Sequence, residues 1–131
     1  MSAEINIQLN LEASSGNFRA SFRPNSITPD MATLISSDLS QTIGVTWENL
    51  NIGSDVVAGG YYWFRNLDTS TSATWNPSIK VASCAATAAG TSTPFLNLRP
   101  GEFALGRCVT TQFSAISSTA TANLQFGILS L

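Results

Sequence analysis

The residue types that carry most enzyme chemistry are scarce or missing in this chain. There is no histidine, which removes Ser-His-Asp and Cys-His catalysis, histidine-ligated metals and histidine pH switching together. The two cysteines, Cys84 and Cys108, do not form a Cys-x-x-Cys pair. A disulfide between them is one reading; two largely buried free thiols in a reducing compartment fit better. Cys108 has no base to activate it and reads as a small buried hydrophobe. The 8 carboxylates are scattered. Glu102 follows a Pro-Gly turn without the partner carboxylate that glycoside hydrolysis needs, and is expected to be a cross-strand charge facing Arg99 or Arg107. Asp68 and Arg65 flank a turn and are expected to pair at the surface. Asn49, Asn51 and Asp55 alternate like the opening of a calcium loop, but Gly60 stands where a helix-loop-helix site places glutamate. That stretch reads instead as a loop held by Asn and Asp side-chain turns. Nothing in this inventory calls for a metal or a cofactor, and the chain is expected not to be an enzyme.

One aromatic cluster is left as a candidate site. Tyr61, Tyr62, Trp63 and Phe64 are consecutive, with Trp47 and Trp75 elsewhere in the chain. Three uses fit such a cluster: packing in a core, contact with another subunit, or a platform on which sugar rings stack. Core packing is favoured. Should the cluster meet a partner, Tyr61, Tyr62, Trp63 and Phe64 are the interface residues.

The elements that would position these residues have a period of two. Ile5, Ile7, Leu9 and Leu11 alternate with polar residues, as in a half-buried strand. Ala13–Asn17 reads as a turn, and Phe18, Ala20 and Phe22 form a second alternating strand ended by Pro24-Asn25. Residues 28–39 are ambiguous between a short helix opened by Thr28-Pro29-Asp30 and an irregular loop carrying a short strand. Ile43–Trp47 is expected to be a strand and Asn49–Gly60 a loop. Tyr61–Leu67 is the strongest strand. Its aromatics fall on both faces, so it should be central and covered on both sides. Trp75–Ala82 contains Pro77 and should lie at a sheet edge. Ser83–Thr93 is rich in Ala, Ser and Thr and is expected to be a mobile loop or an arm that orders on a neighbour. Arg99-Pro100-Gly101-Glu102 predicts a type II turn of a hairpin between a strand from Phe95 to Leu98 and its return over Glu102–Val109. Phe113–Ile116 is a weak strand, and Ala122–Ile128 a closing one. About eight short strands with Gly, Pro, Ser and Asn between them predict an all-β fold: a jelly-roll-like β-sandwich spanning residues 1–131 as a single domain, with an eight-stranded barrel as the second choice.

Composition narrows the partners. Charged residues make up 11% of the 131, where soluble domains carry about 25%. With a net charge of −2 and 6 basic residues, the chain lacks the footprint for nucleic acid. The start MSAEINIQLNLEASS has no secretory pattern, and the longest apolar run, Val56–Phe64, is too short to span a membrane as a helix. A surface of Ser, Thr, Asn, Gln, Ala and Gly suits close, uncharged packing of many subunits, where a buried unpaired charge would be costly.

Four stretches add a resemblance. Ala3–Asn6, Gly59–Asp68 (GGYYWFRNLD), Pro94–Ala104 (PFLNLRPGEFA) and the closing segment from Ala120 to Leu131 resemble small all-β structural proteins of tailed bacteriophages. The resemblance spans most of the chain, and its motifs are structural: a strand and a hairpin. It implies a virion protein made in the host cytoplasm, above all a capsid decoration or cement protein docking on the major capsid protein or other virion proteins. A homo-oligomer is expected, and a trimer suits threefold positions. A tail, neck or head-fibre component is the nearest alternative; a carbohydrate-binding β-sandwich module is the alternative from another class.

Overall fold

The computed structural model describes residues 3, 4, 8, 10–15, 17–23, 30, 31, 39–53, 56, 59–69 and 76–130. Near the N-terminus, β1 (Ala3–Glu4) pairs with β4 (Asp30–Met31), and β2 (Leu11–Ser15) with β3 (Phe18–Phe22), both antiparallel. β2 therefore runs through Ser15, into the turn predicted over Ala13–Asn17, and β3 starts at Phe18 as expected; Ile5, Ile7 and Leu9 of the first predicted strand lie outside the described residues. Glu12 and Arg23 form an exposed ion pair on this ribbon, a contact worth about 0–1 kcal/mol. Most of the segment read as either helix or loop lies outside the described residues. Its described parts are β4 and Leu39, the first residue of β5.

Among the described residues, eight further strands follow: β5 (Leu39–Ile43), β6 (Glu48–Asn49), β7 (Gly60–Asn66), β8 (Ile79–Ala82), β9 (Leu96–Leu98), β10 (Phe103–Arg107), β11 (Ser114–Ser117) and β12 (Ala122–Ser130). They form two antiparallel four-stranded sheets, ordered β10-β7-β12-β5 and β6-β11-β8-β9. The pairings β5 with β12, β6 with β11, β7 with β10 and β8 with β9 are nested. The chain is thus one long antiparallel ribbon, folded at β8–β9 and wound so that successive strands alternate between sheets. Pairings of β7 with β12 and β8 with β11 close the winding. This is the jelly roll expected from the sequence.

The two sheets pack face to face. Ile43, Phe64, Leu124, Phe126 and Ile128 from one meet Ile79, Val81, Leu98 and Ala115 from the other, and Leu50, Val56 and Phe113 close one end. The aromatic rings of Tyr62, Phe64, Phe95, Phe113 and Phe126 form a connected cluster, with Phe64 to Phe113 at 5.4 Å in edge-to-face geometry. At the other end Asn66 joins the layers. Its buried side chain donates to the carbonyls of Pro77 (3.0 Å) and Leu98 (3.1 Å) and accepts from the Asp68 N–H at 3.1 Å. Its backbone carbonyl holds the Gly101 N–H at 3.0 Å, and its N–H donates to the Glu102 carbonyl.

Several local expectations are corrected by this topology. β8 is an inner strand, not an edge: Pro77 lies two residues before Ile79, outside the ladder, so its missing N–H removes no sheet bond. The Arg99–Glu102 turn has the expected type II features, with Gly101 at φ 80° and the Glu102 N–H donating to the Arg99 carbonyl at 3.0 Å. It is not a hairpin, because β9 and β10 part to opposite sheets. Residues 44–47 form a turn and not a strand. The Glu48 carboxylate accepts the Gly44 N–H across that turn, and β6, read as the start of a loop, pairs with β11. Ser83–Thr93, expected to be a mobile loop or arm, carries a one-turn helix, α1 (Ala86–Ala89). The Asn49 side chain accepts the Ala86 N–H at 2.8 Å, and Ala89 is buried.

Asn66 offers a direct test of how the layers are joined. Replacing Asn66 with Leu leaves the Pro77 and Leu98 carbonyls without their donor, and is expected to destabilise the fold by about 2–3 kcal/mol. Urea denaturation should show a lower midpoint at unchanged slope. A loss below about 0.5 kcal/mol would show that these bonds do not hold the layers.

Candidate functional site

The consecutive aromatics sit on β7, which lies between β10 and β12 as expected of a central strand. The pleat divides them. Tyr62 and Phe64 face inward and Tyr61 and Trp63 outward. Phe64 is 0% exposed, and its ring packs between those of Tyr62, Phe95, Phe113 and Phe126. The four residues named as one interface are therefore two pairs with different surroundings. Trp47 is half-buried in the turn before β6; Trp75 lies outside the described residues.

Both faces of β7 make room for a large ring by placing glycine opposite it. On the inner face Gly106 of β10 pairs with Tyr62, and a Cβ there would come within 2.7 Å of the phenol Cζ. On the outer face Gly127 of β12 pairs with Trp63, and a Cβ there would collide with the indole Nε1 and come within 2.8 Å of Cε2. Each ring thus leans across the neighbouring strand over bare backbone. Neither glycine could be singled out from sequence, because its role appears only once the register is known.

Clefts among the described residues flank these rings. At the end of the sandwich that carries α1, a cleft of about 370 Å³ is lined by Tyr62, Ser83, Phe95, Cys108, Val109 and Phe113, among others. The 108–113 loop forms its wall. The Cys108 N–H donates to the Gly60 carbonyl at 2.8 Å, and Gly59 lies so close that a Cβ would meet the Val109 backbone at 2.6 Å. This clamp leaves Val109 97% exposed at the rim. On the outer face of the β10-β7-β12-β5 sheet, a second cleft of about 530 Å³ is lined by Trp63, Arg65, Gly101, Phe103 and Gln125, together with Phe64 and Ala104. Phe103 is 69% and Leu105 45% exposed on that face. The alternation of Phe103, Leu105, Arg107 and Val109 was visible in the sequence, but read as the return strand of a hairpin it gave no hint of exposure.

The other candidates have structural partners. Asp68 does not need Arg65: its carboxylate accepts the Asn123 N–H at 3.1 Å. Glu102 accepts the Arg99 backbone N–H at 2.8 Å and so braces the turn. Asn49, from the stretch compared with a calcium loop, accepts the Ala86 N–H, and Asp55 lies outside the described residues. No group of three or more Cys, Asp or Glu is placed to hold a metal among the described residues. Cys84 and Cys108 are free thiols, both half-buried. No helix among the described residues is long and apolar enough to cross a membrane.

Burial raises the Tyr62 pKa above the ordinary tyrosine value, and repulsion from negative charge on the nearby Cys108 sulfur adds to the shift. The fold therefore favours the neutral phenol. This contribution is complete below the unfolded tyrosine pKa of about 10 and is lost as pH rises through the higher folded value. Denaturation between about pH 9 and pH 12 should show a fall in stability that is shallower in Tyr62→Phe. Equal slopes in the two proteins would place the phenol in open solvent. Comparison of the chain with family models, characterised proteins and solved structures yields no match.

Proposed function

We propose that this protein is a structural component of a tailed-bacteriophage virion, a capsid decoration module that docks on the major capsid protein shell. The observation that carries this reading is the apolar end of the sandwich. Val109 projects 97% exposed beside an aromatic-lined cleft, in a chain with 11% charged residues. An exposed apolar side chain on a braced loop, beside an open aromatic-lined cleft, suits insertion into a partner. The phage-like segments support the same assignment. The jelly roll adds a fold-level analogy, since viral capsid proteins use it widely, although lectins do too and function has to rest on the site.

The mechanism is passive. The two sheets supply a rigid body, the 108–113 loop and Phe95 bury apolar surface against capsomers, and many copies add weak contacts into a large gain in shell stability. A homo-oligomer, such as a trimer at threefold positions, would multiply those contacts. No catalytic step is assigned. A tail, neck or head-fibre station would use the same surface and differ only in where the copies sit on the particle.

Val109 is nearly free of intramolecular packing, so Val109→Asp should fold normally while losing docking. Co-sedimentation with capsids of the encoding phage should fall at least about tenfold, because the new charge is desolvated without a partner, with an unchanged melting temperature. Size-exclusion chromatography with light scattering should show an oligomer. A monomer at high concentration that binds no part of the particle would overturn the reading.

A further inference from the structure

The cleft on the outer face of the β10-β7-β12-β5 sheet has a composition of its own, and it lies away from the Val109 end. Two adjacent cross-strand rows carry the cleft, whose lining takes Trp63 from one and Phe103, Arg65 and Gln125 from the other. Leu105, Trp63 and Gly127 form one; Phe103, Arg65 and Gln125 form the next. With strands about 4.8 Å apart and rows about 7 Å apart, the patch measures roughly 10 by 7 Å, enough for one or two sugar rings. Gly127 lets the Trp63 indole lie over the backbone of β12, so one surface of the ring is turned to the sheet and the ring also lines the cleft. Arg65 and Gln125 stand at its edge. Neither side chain hydrogen-bonds to another described residue.

We propose that this cleft binds an oligosaccharide, stacking the apolar face of a pyranose ring on Trp63, with Phe103 as a second wall. A pyranose has C–H groups on its faces and hydroxyls around its rim. The indole face carries negative electrostatic potential and attracts the C–H side. Arg65 can donate to rim hydroxyls, and Gln125 can both donate and accept. A purely apolar ligand would leave these two polar side chains unused. A nucleic acid would need a basic surface, whereas Arg65 is the one cation among the described residues that line the cleft. The carbohydrate proposal is independent of the virion reading: Trp63, Arg65 and Gln125 are not part of the Val109 end, so each can fail while the other stands.

The test is isothermal titration calorimetry of the full chain with cellohexaose, chitohexaose, maltohexaose and hexagalacturonate. Saturable binding of at least one probe is expected, with Trp63→Ala weakening it at least about tenfold and Arg65→Ala or Gln125→Ala at least about threefold. Trp47→Phe should leave affinity unchanged. Circular dichroism checks each variant for folding. Should Trp63→Ala unfold, Arg65→Ala and Gln125→Ala decide the matter, and unchanged affinity in both overturns the assignment. So does the absence of saturable binding by all four probes at millimolar concentration, or unchanged binding in a folded Trp63→Ala protein.

Discussion

Four consecutive aromatic residues in one central strand constrain the rest of this molecule. A strand turns successive side chains to opposite faces, so Tyr61–Phe64 cannot all be buried in one core. Tyr62 and Phe64 supply the inner layer, and Tyr61 and Trp63 must be accommodated outside. Each large ring also needs lateral space in a sheet whose strands lie about 4.8 Å apart. That space comes from Gly106 beneath Tyr62 and Gly127 beneath Trp63. Glycine weakens a strand by itself, but here the ring from the adjacent strand covers the exposed backbone. The inner pair thereby becomes part of a connected aromatic core, and the outer tryptophan becomes the floor of an open cleft.

The jelly-roll winding explains how the ends of the sandwich come to differ. Because β5 pairs with β12 and β7 with β10, the connections before β7 and after β10 gather at one end. There Leu50, Gly59 and the 83–95 and 108–113 segments meet, tied by Leu50 N–H to the Phe113 carbonyl and Cys108 N–H to the Gly60 carbonyl. At the other end the 99–102 turn and the segment after β7 converge on Asn66. One end is closed by polar bonds to a buried amide, while the other carries exposed Val109 and Phe95. The apolar end is the one on which the proposed docking rests.

Much of the fold was legible because period-two patterning survives in short strands. The alternation over Ala122–Ile128 and the aromatic run over Tyr61–Leu67 marked two inner strands correctly, and Pro100-Gly101 fixed the turn type. The misreadings share a cause: they needed knowledge of which strand lies next to which. Pro77 looked like an edge marker because nothing local says that pairing starts at Ile79. Asn49 was placed at the start of a loop because a two-residue strand has no periodicity; the pairing of Glu48 and Asn49 comes from β11. The Ala/Ser/Thr-rich stretch after β8 looked featureless, yet small residues are what let α1 sit close to the fold with Ala89 buried.

The candidate sites were less legible than the fold for the same reason carried one step further. A cleft on a sheet is a property of cross-strand rows, and the Trp63 cleft gathers residues from β7, β10 and β12, with Arg65 paired to Phe103 and Gln125, 38 and 60 positions further along the chain. No local motif can encode that. What the sequence did carry was the low charge, and the structure gives it a physical location. Phe103, Leu105 and Val109 alternate along β10 and its following loop with Arg107 as the only charge among them. A monomer that kept this row in water would be exposed to edge-strand association. The row thus leaves apolar surface along the β10 edge of the sheet, the surface on which the proposed docking and the proposed carbohydrate contact both draw.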